Sequence, residues 1–236
     1  KLSLLECIAF DLKIIHSHKL IHRDLHSGNI LLATFQSAYI ADLGLSTMVN
    51  TKSNNKVYGI LPYIAPEVLY NGIYKMESDV YSFGIIAYEI VSSLQAYNNI
   101  PHDIYLQRMI YNGLRPRIPK HTPQLVTELI IKCWSAQPDQ RPTSVEIYDI
   151  INTWNNDILN NRSTEIVTQI EEANKMRVSN MPTSSHINSS YPEEIYVSMQ
   201  FDHLNTTGTG NVKLLESFNT IILIKYIFLL IKRKSQ

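Results

Sequence analysis

Cysteine is scarce in this chain of 236 residues, which contains only Cys7 and Cys133. The two lie far apart and form neither a CxxC pair nor any other metal-binding spacing. This excludes a disulfide framework and a cysteine-based zinc site. Both cysteines lie among apolar residues in predicted helices, so we expect reduced, buried thiols. Such thiols are typical of a reducing compartment, and we expect the protein in the cytoplasm.

An excess of charge is also absent, since 21 Lys and Arg residues balance 21 Asp and Glu residues. This balance provides no whole-chain attraction for nucleic acid or an anionic surface, and we expect no nucleic-acid partner. The chain opens with Lys1 and without a secretory hydrophobic segment. We therefore expect the numbering to begin inside a longer protein or a truncated gene model.

The apolar run near the C-terminus is too short to predict a membrane-spanning helix. It extends from Ile221 to Ile231, is interrupted by Lys225, and is followed by three basic residues. A spanning helix needs about 20 apolar residues, and a central lysine costs about 2.5–3.5 kcal/mol on insertion. We favour an interfacial or irregular tail helix in residues 218–236, and a C-terminal membrane anchor formed by residues 218–234 is the alternative.

Apolar periodicity predicts a mainly helical body over residues 1–155. Residues 2–15 have one apolar face, and residues 79–91 are apolar nearly all round, as a central buried helix would be. Further helices are predicted over residues 102–111, 123–134 and 143–155. The runs 30–33 and 38–41 predict a small β-hairpin that ends at Asp42, and polar residues 45–61 predict a mobile surface loop.

The composition changes after about residue 156, where Asn, Ser and Thr accumulate. We expect residues 156–217 to be a low-complexity and mostly disordered tail, apart from a possible helix near 163–176. The stretch from Gly208 to Val212 contains two glycines but lacks a third glycine and a preceding strand. It therefore predicts a flexible linker and not a nucleotide-binding loop.

Three oxygen-bearing side chains follow one another closely near the predicted hairpin. Asp24 and Asn29 lie five positions apart in the run from His22 to Asn29, and Asp42 precedes Leu43 and Gly44. Phosphoryl transfer from ATP requires a carboxylate that orients and deprotonates a hydroxyl, together with hard oxygen ligands for Mg²⁺. This spacing of one carboxylate, one carboxamide and a second carboxylate fits both requirements.

Further motifs follow in a fixed order. Ala65 to Glu67 reads Ala-Pro-Glu, Asp79 opens an apolar helix, and Arg141 precedes Pro142. With the run from His22 to Asn29 and with Asp42, residues 1–155 resemble the C-terminal lobe of a eukaryotic protein kinase, closest to the tyrosine-kinase-like and Ser/Thr groups. The resemblance implies a mainly α (α+β) fold, a helical bundle with a small β-hairpin at the catalytic loop.

The resemblance also implies roles for individual residues. Asp24 would accept the proton of a protein hydroxyl, and Asn29 and Asp42 would bind the Mg²⁺ ions that accompany ATP. His22 would pack beneath the loop. Leu31 would contact the adenine ring, although a core position in the hairpin is an equally simple reading. Arg23 would pair with a phosphate on one of the candidate side chains, which are Ser46, Thr47, Thr51, Ser53 and Tyr58.

Other residues are expected to hold the fold. Glu67 and Arg141 resemble an ion pair that ties the Ala-Pro-Glu segment to the helical body, and Asp79 would bind the backbone of the catalytic loop. Trp134 is expected to fill the core. The histidines at positions 16, 18, 22 and 26 cluster in a way that permits a metal site, although packing within the kinase-like loop explains them better.

Three positions depart from the family pattern. His26 stands where Ser/Thr kinases carry a Lys that contacts the γ-phosphate, and Ile60 follows Gly59 where they carry a Thr. Gly28 stands where tyrosine kinases carry an Arg. The run from Gly59 to Tyr63 favours a Ser/Thr or dual-specificity enzyme.

The sequence before the first predicted helix contains no glycine-rich loop, no strand-borne Lys and no partner Glu. We therefore expect the N-terminal lobe to be absent and this fragment to be inactive alone. Leu31, Leu43 and His22 would then face water, unless an N-terminal lobe or a partner protein covers them. Two functions remain open, namely an ATP- and Mg²⁺-dependent protein kinase that acts on a protein substrate, and a non-catalytic, pseudokinase-like scaffold.

Overall fold

The computed structural model describes residues 1–49 and 57–179 and, further on, residues 199–201, 204 and 213–214. Within these residues the body is mainly helical. The helices are α1 (Leu2–Ser17), α2 (Pro66–Asn71), α3 (Met76–Ser92), α4 (Ile104–Tyr111), α5 (Gln124–Cys133), α6 (Ser144–Leu159) and α7 (Glu165–Ser179). Each helix predicted from apolar periodicity is confirmed, and the predicted mainly α class with small β elements is confirmed as well.

Short antiparallel strands complete the described fold. They are β1 (Leu20–Ile21), β2 (Ile30–Thr34), β3 (Ser37–Ile40), β4 (Thr47–Met48), β5 (Val57–Gly59), β6 (Met199–Phe201) and β7 (Lys213–Leu214). β1 pairs with β4, and β2 pairs with β3 as the predicted hairpin, with Ile30 opposite Ile40. β5, β6 and β7 form a sheet in that order.

The core lies between α1, α3, α5 and α6. α1 buries Leu5, Ile8 and Leu12 on the face that its periodicity predicts, and α6 packs against it with Ile147 and Ile151. α6 begins with a capping box in which the Thr143 hydroxyl accepts the Glu146 N–H. These contacts fix the direction in which the chain enters the loop that follows β1.

α3 is the central helix, and every residue from Ser78 to Glu89 is buried. Its close contact with α5 depends on Gly84, because a Cβ added there would lie 2.9 Å from the Cβ of Cys133. Trp134 is also buried, as predicted. Cys7 is only half-buried, so the prediction of two buried thiols is wrong for it, whereas burial raises the pKa of the Cys133 thiol.

The helical body extends past residue 155. α6 continues to Leu159, and α7 covers the helix expected near 163–176. Ile166 of α7 is buried, and the Gln169 side chain accepts the Leu125 N–H near the start of α5. Residues of α7 therefore contribute to the core beyond position 155, and the domain boundary there stays a prediction.

The segment 45–61 was predicted to be a mobile surface loop, but parts of it form a strand or are buried. β4 pairs with β1, and Val57, Ile60 and Leu61 are buried. Its middle, residues 50–56, lies outside the described residues. So do the Gly208–Val212 stretch and residues 218–236. Among the residues that the structure describes, no helix is long and apolar enough to cross a membrane.

Candidate active site

The loop from His22 to Asn29 is fixed from below by Asp79 in the first turn of α3. Asp79 Oδ2 accepts the His22 N–H at 2.8 Å, and Oδ1 accepts the Arg23 N–H at 3.0 Å. Arg23 has a left-handed backbone with φ 71°, a conformation that is unfavourable for a residue with a side chain. The bonds to Asp79 hold it there. The predicted link between Asp79 and the loop backbone is confirmed.

The sequence did not reveal that His16 is a third partner of Asp79. His16 Nε2 lies 2.9 Å from Asp79 Oδ2, and His16 Nδ1 lies 3.0 Å from the Ser144 hydroxyl. The imidazole therefore joins the end of α1 to α3 and α6. The alternative that the histidine cluster binds a metal ion has no support. Among the described residues, no three His, Cys, Asp or Glu side chains form a group that could hold one.

Asn29 joins the loop to the hairpin. Its Nδ2 donates to the Asp24 carbonyl oxygen at 2.8 Å, and its own carbonyl oxygen accepts the Ala41 N–H at 2.8 Å. Ala41 directly precedes Asp42, so Asn29 bridges the segments that carry the other two predicted oxygen ligands. Asp42 is exposed, has φ 61°, and accepts the Gly44 N–H with Oδ1. The loop and the hairpin end thus form one hydrogen-bonded unit.

The donor set at this unit suits Mg²⁺. The Asn29 amide nitrogen is used by Asp24, which leaves the Asn29 Oδ1 atom as the remaining acceptor, and Asp42 supplies an exposed carboxylate. Carboxylate and amide oxygens are the ligands that hard divalent cations prefer. The residues present therefore fit the predicted ion, and their roles as metal ligands stay predictions.

His22 is fully buried, which corrects the expectation that it would face water. Its Nε2 donates to the Ala41 carbonyl oxygen at 3.2 Å, so the ring packs between the loop and the hairpin end. Burial lowers the pKa of His22, and the nearby Asp79 carboxylate offsets this only in part. Leu31 and Leu43 are exposed by 39% and 50%, as predicted, so Leu31 is not a hairpin core residue.

Asp24 lies in a cleft and is enclosed from two sides. On one side, His26 Nε2 lies 3.7 Å from Asp24 Oδ2. His26 Nδ1 accepts the Gly28 N–H, which requires the neutral ring to carry its proton on Nε2, facing Asp24. On the other side, a Cβ added to Gly59 would lie 3.2 Å from Asp24 Oδ1. Gly59 therefore permits β5 to approach the carboxylate closely.

Tyr63 connects this cleft to the core. Its hydroxyl donates to Glu89 Oε2 at 2.8 Å and lies 2.7 Å from the Ser27 hydroxyl. Glu89 also accepts the Ala96 N–H. The sequence does not predict the contacts of Ser27 and Glu89 with Tyr63. These residues lie far from Tyr63 in the chain, and neither belongs to a motif that would link them to it.

Tyr74 connects β5 to the loop. Its hydroxyl accepts the Tyr58 N–H at 3.0 Å and donates to the Tyr58 carbonyl oxygen at 2.6 Å. The Arg23 guanidinium lies over the Tyr74 ring, 4.6 Å from its centre. Burial raises the pKa of the Tyr74 hydroxyl, which keeps it neutral and able to donate. The predicted pairing of Arg23 with a phosphate stays a prediction; Thr51 and Ser53 lie outside the described residues.

The predicted ion pair between Glu67 and Arg141 is confirmed. Arg141 donates to both Glu67 carboxylate oxygens at 2.7 Å and to the Glu77 carbonyl oxygen at 2.8 Å. Its guanidinium also lies over the buried Tyr81 ring. Burial raises the pKa of Tyr81 to about 12. The start of α2 is thereby held against α3 and the turn before α6.

Comparison with known proteins agrees with this geometry. A family model described as protein tyrosine and serine/threonine kinase matches residues 1–151. The RGS domain-containing serine/threonine-protein kinase A of Dictyostelium discoideum is 35% identical over 140 residues, which are 59% of this chain and 12% of that protein. The dual specificity protein kinase pyk3 of the same organism is 29% identical over 188 residues, 80% of this chain and 13% of pyk3.

A further relative comes from an animal. The mast/stem cell growth factor receptor Kit of Canis lupus familiaris is 36% identical over 149 residues, which are 61% of this chain and 15% of that receptor. The chain thus spans less than a sixth of the length of each of these three relatives. Since the family model covers well over half of the chain, this protein belongs to the protein tyrosine and serine/threonine kinase family.

Proposed function

We propose that residues 1–179 act as the C-terminal lobe of a protein kinase that transfers the γ-phosphoryl group of ATP to a protein hydroxyl. The observation that carries the proposal is the pair of Asn29 hydrogen bonds, one to the Asp24 carbonyl and one from the Ala41 N–H. These bonds join Asp24, the proposed base, to Asn29 and to the segment that carries Asp42, the proposed metal ligands. Phosphoryl transfer depends mainly on such positioning.

Asp24 is the proposed base. Its carboxylate lies beside Gly59 and His26, which restrict where a hydroxyl can approach. The carboxylate would orient the hydroxyl and take its proton as the oxygen attacks, an effect typically worth about 10²–10⁴ in rate. His26, held by the Gly28 N–H, would keep Asp24 oriented.

Asn29 and Asp42 are the proposed Mg²⁺ ligands, and exposed Leu31 would lie under the adenine ring. When bound, Mg-ATP supplies the phosphoryl group and neutralises its charge. A neutral His26 in place of the usual Lys brings one cation less to the phosphate, so we expect slower transfer than in kinases that carry that Lys. A lobe or partner that covers Leu31 and Leu43 would complete the nucleotide site.

We propose Ser/Thr or dual specificity for the hydroxyl. This is supported by the names of two relatives, a serine/threonine-protein kinase and a dual specificity kinase. We also propose a cytoplasmic location, because Cys7 and Cys133 are both free thiols.

The test measures phosphate incorporation into a mixture of Ser-, Thr- and Tyr-containing peptides. The enzyme is the longer protein that carries the expected N-terminal lobe, called the full-length protein below. Asp24→Asn should lower the rate at least 100-fold, and Asn29→Ala and Asp42→Ala should abolish it. Asp139→Asn is the matched control, because Asp139 is exposed on the turn before Arg141 and should leave the rate unchanged. Equal rates for Asp24→Asn and Asp139→Asn would end the proposal.

A non-catalytic scaffold is the second candidate, favoured by His26 at the position of the phosphate-contacting Lys. This candidate predicts that Mg-ATP does not raise the melting temperature of the full-length protein. A rise that is lost in both Asn29→Ala and Asp42→Ala would exclude it.

A further inference from the structure

The β5 strand beside Asp24 is paired with a strand from far along the chain. β6 runs antiparallel to β5, with Val57 opposite Phe201, Tyr58 opposite Gln200 and Gly59 opposite Met199. These residues lie more than a hundred positions apart in the sequence. Bringing two such distant segments together costs the chain conformational entropy. Hydrogen bonds between the two segments offset this cost.

The two edges of β5 are used differently. Both backbone groups of Tyr58 bond the Tyr74 hydroxyl, on the edge that faces away from β6. Because the backbone groups of successive strand residues point to opposite edges, those of Val57 and Gly59 face β6. Val57 with Phe201 and Gly59 with Met199 are therefore the hydrogen-bonded pairs. Tyr58 with Gln200 is the pair without direct hydrogen bonds.

The edge that β6 occupies adjoins the proposed base. Gly59 lies so close to Asp24 that a Cβ on it would be 3.2 Å from Oδ1. Neighbouring strands lie about 4.8 Å apart. A strand paired with β5 therefore lies about one strand spacing from Gly59, which itself borders the Asp24 carboxylate. An extended segment carrying a hydroxyl to Asp24 would meet this same edge.

A second bond anchors the segment that follows β6. The Leu204 N–H donates to the Leu69 carbonyl oxygen at 2.8 Å. Leu69 is among the last residues of α2, whose final carbonyls have no partner within the helix. β7 pairs with the other edge of β6, with Gln200 opposite Lys213. Thus the segment from Met199 to Leu204 is held at both of its ends.

We propose that the edge of β5 that faces β6 is a docking edge for an extended peptide. Residues Met199–Phe201 of the same chain occupy this edge as an autoinhibitory strand. A protein substrate that pairs with β5 must displace them. The competition with substrate rests on the proposed kinase function, whereas the occupation of the edge can be tested without it.

The first test is hydrogen–deuterium exchange on the full chain. Proline has no N–H, so the double variant Met199→Pro/Phe201→Pro loses both donors to β5. We expect the Val57 and Gly59 amides to exchange at least tenfold faster than in the wild type. Gln200→Pro is the matched control, since the Gln200 N–H points to β7, and the same amides should stay within threefold of the wild type. Equal protection in the wild type and the double variant would overturn the proposal.

A disulfide test covers the case in which the proline variants unfold. Opposite residues without direct hydrogen bonds have Cα atoms about 4.5 Å apart, which a disulfide can bridge. In a Cys7→Ser background, Tyr58→Cys with Gln200→Cys should form an internal disulfide on mild oxidation. Tyr58→Cys with Phe201→Cys, whose Cβ atoms lie on opposite faces, should not. Equal yields for the two pairs would contradict the register and the proposal with it.

The disulfide also separates this proposal from the kinase function. In the full-length protein, oxidation of the Tyr58→Cys/Gln200→Cys variant should lower phosphate incorporation into a protein substrate at least fivefold, and reduction should restore it. Equal incorporation in both redox states would overturn autoinhibition. If the disulfide forms and neither state incorporates phosphate, while the amides of Val57 and Gly59 behave as expected, the kinase function fails and the docking edge stands.

Discussion

His16 and Asp79 meet inside the helical body, with His16 Nε2 2.9 Å from Asp79 Oδ2. The same oxygen accepts the His22 N–H, and the other His16 nitrogen contacts the Ser144 hydroxyl. One imidazole thus connects the end of α1, the first turn of α3 and the start of α6. Because the Asp79 carboxylate holds the loop from His22 to Asn29, the position of that loop depends on packing between α1, α3 and α6.

We expect His16→Ala to lower the free energy of unfolding by about 1–3 kcal/mol, because it leaves Asp79 and Ser144 short of a buried partner. Urea unfolding followed by circular dichroism measures this. His18→Ala is the control, since His18 is exposed and should change stability by less than about 0.5 kcal/mol. Equal losses for the two variants would contradict the role of His16.

Arg141→Ala should be among the most destabilising single changes. It leaves the Glu67 carboxylate unpaired in a largely buried position, which typically costs about 3–5 kcal/mol. Arg141→Lys should recover only part of this, because Lys lacks the planar fork that binds both oxygens. Arg162→Ala is the control, because it removes an ion pair with Asp157 at 3.2 Å in which the Arg side chain is 60% exposed. Thermal unfolding should show that this variant loses at most about 1 kcal/mol of unfolding free energy.

Gly59→Ala should reduce activity and stability together. Gly59 has φ 128°, so a side chain is strained there, and the added Cβ would also press on Asp24 Oδ1. Gly113→Ala is a matched control, because Gly113 has φ 100° and nothing within 4 Å of the added Cβ. Both variants should lose about 1–3 kcal/mol of stability through backbone strain.

Only Gly59→Ala should also lower kcat in the full-length protein. A Gly113→Ala variant with the same loss of kcat would show that the contact with Asp24 has no effect of its own.

Stability should fall in mild acid because of His22. Burial lowers its folded-state pKa below about 6.5, the value in an unfolded chain, so the unfolded state binds a proton that the folded state does not. The contribution of His22 is therefore fully present above pH ~6.5 and is lost as the pH falls towards the lower folded-state pKa.

Urea unfolding between pH 8 and pH 5 should show a shallower decline for His22→Asn than for the wild type. Parallel curves would mean that other groups cause the acid sensitivity.

The sequence was sufficient to predict much of the helical body, because periodic apolar faces such as that of α1 record where each helix is buried. It also predicted the pair of Glu67 with Arg141, since the motifs that carry them have a known relation in this family. The contacts of His16 and Glu89 were missed. A lone polar residue on an apolar helix does not specify its partner, which only the packing of distant helices determines. β6 was missed for a similar reason, since three residues in a polar region give almost no periodic signal.

The bond between Gln169 and the Leu125 N–H has a practical consequence for anyone who shortens this protein for expression. A fragment that stops at residue 155, where the family resemblance ends, would expose the apolar surface that Ile166 covers and remove a cap from α5. Such a fragment should aggregate. One that retains α7 would keep this apolar surface covered and the cap in place.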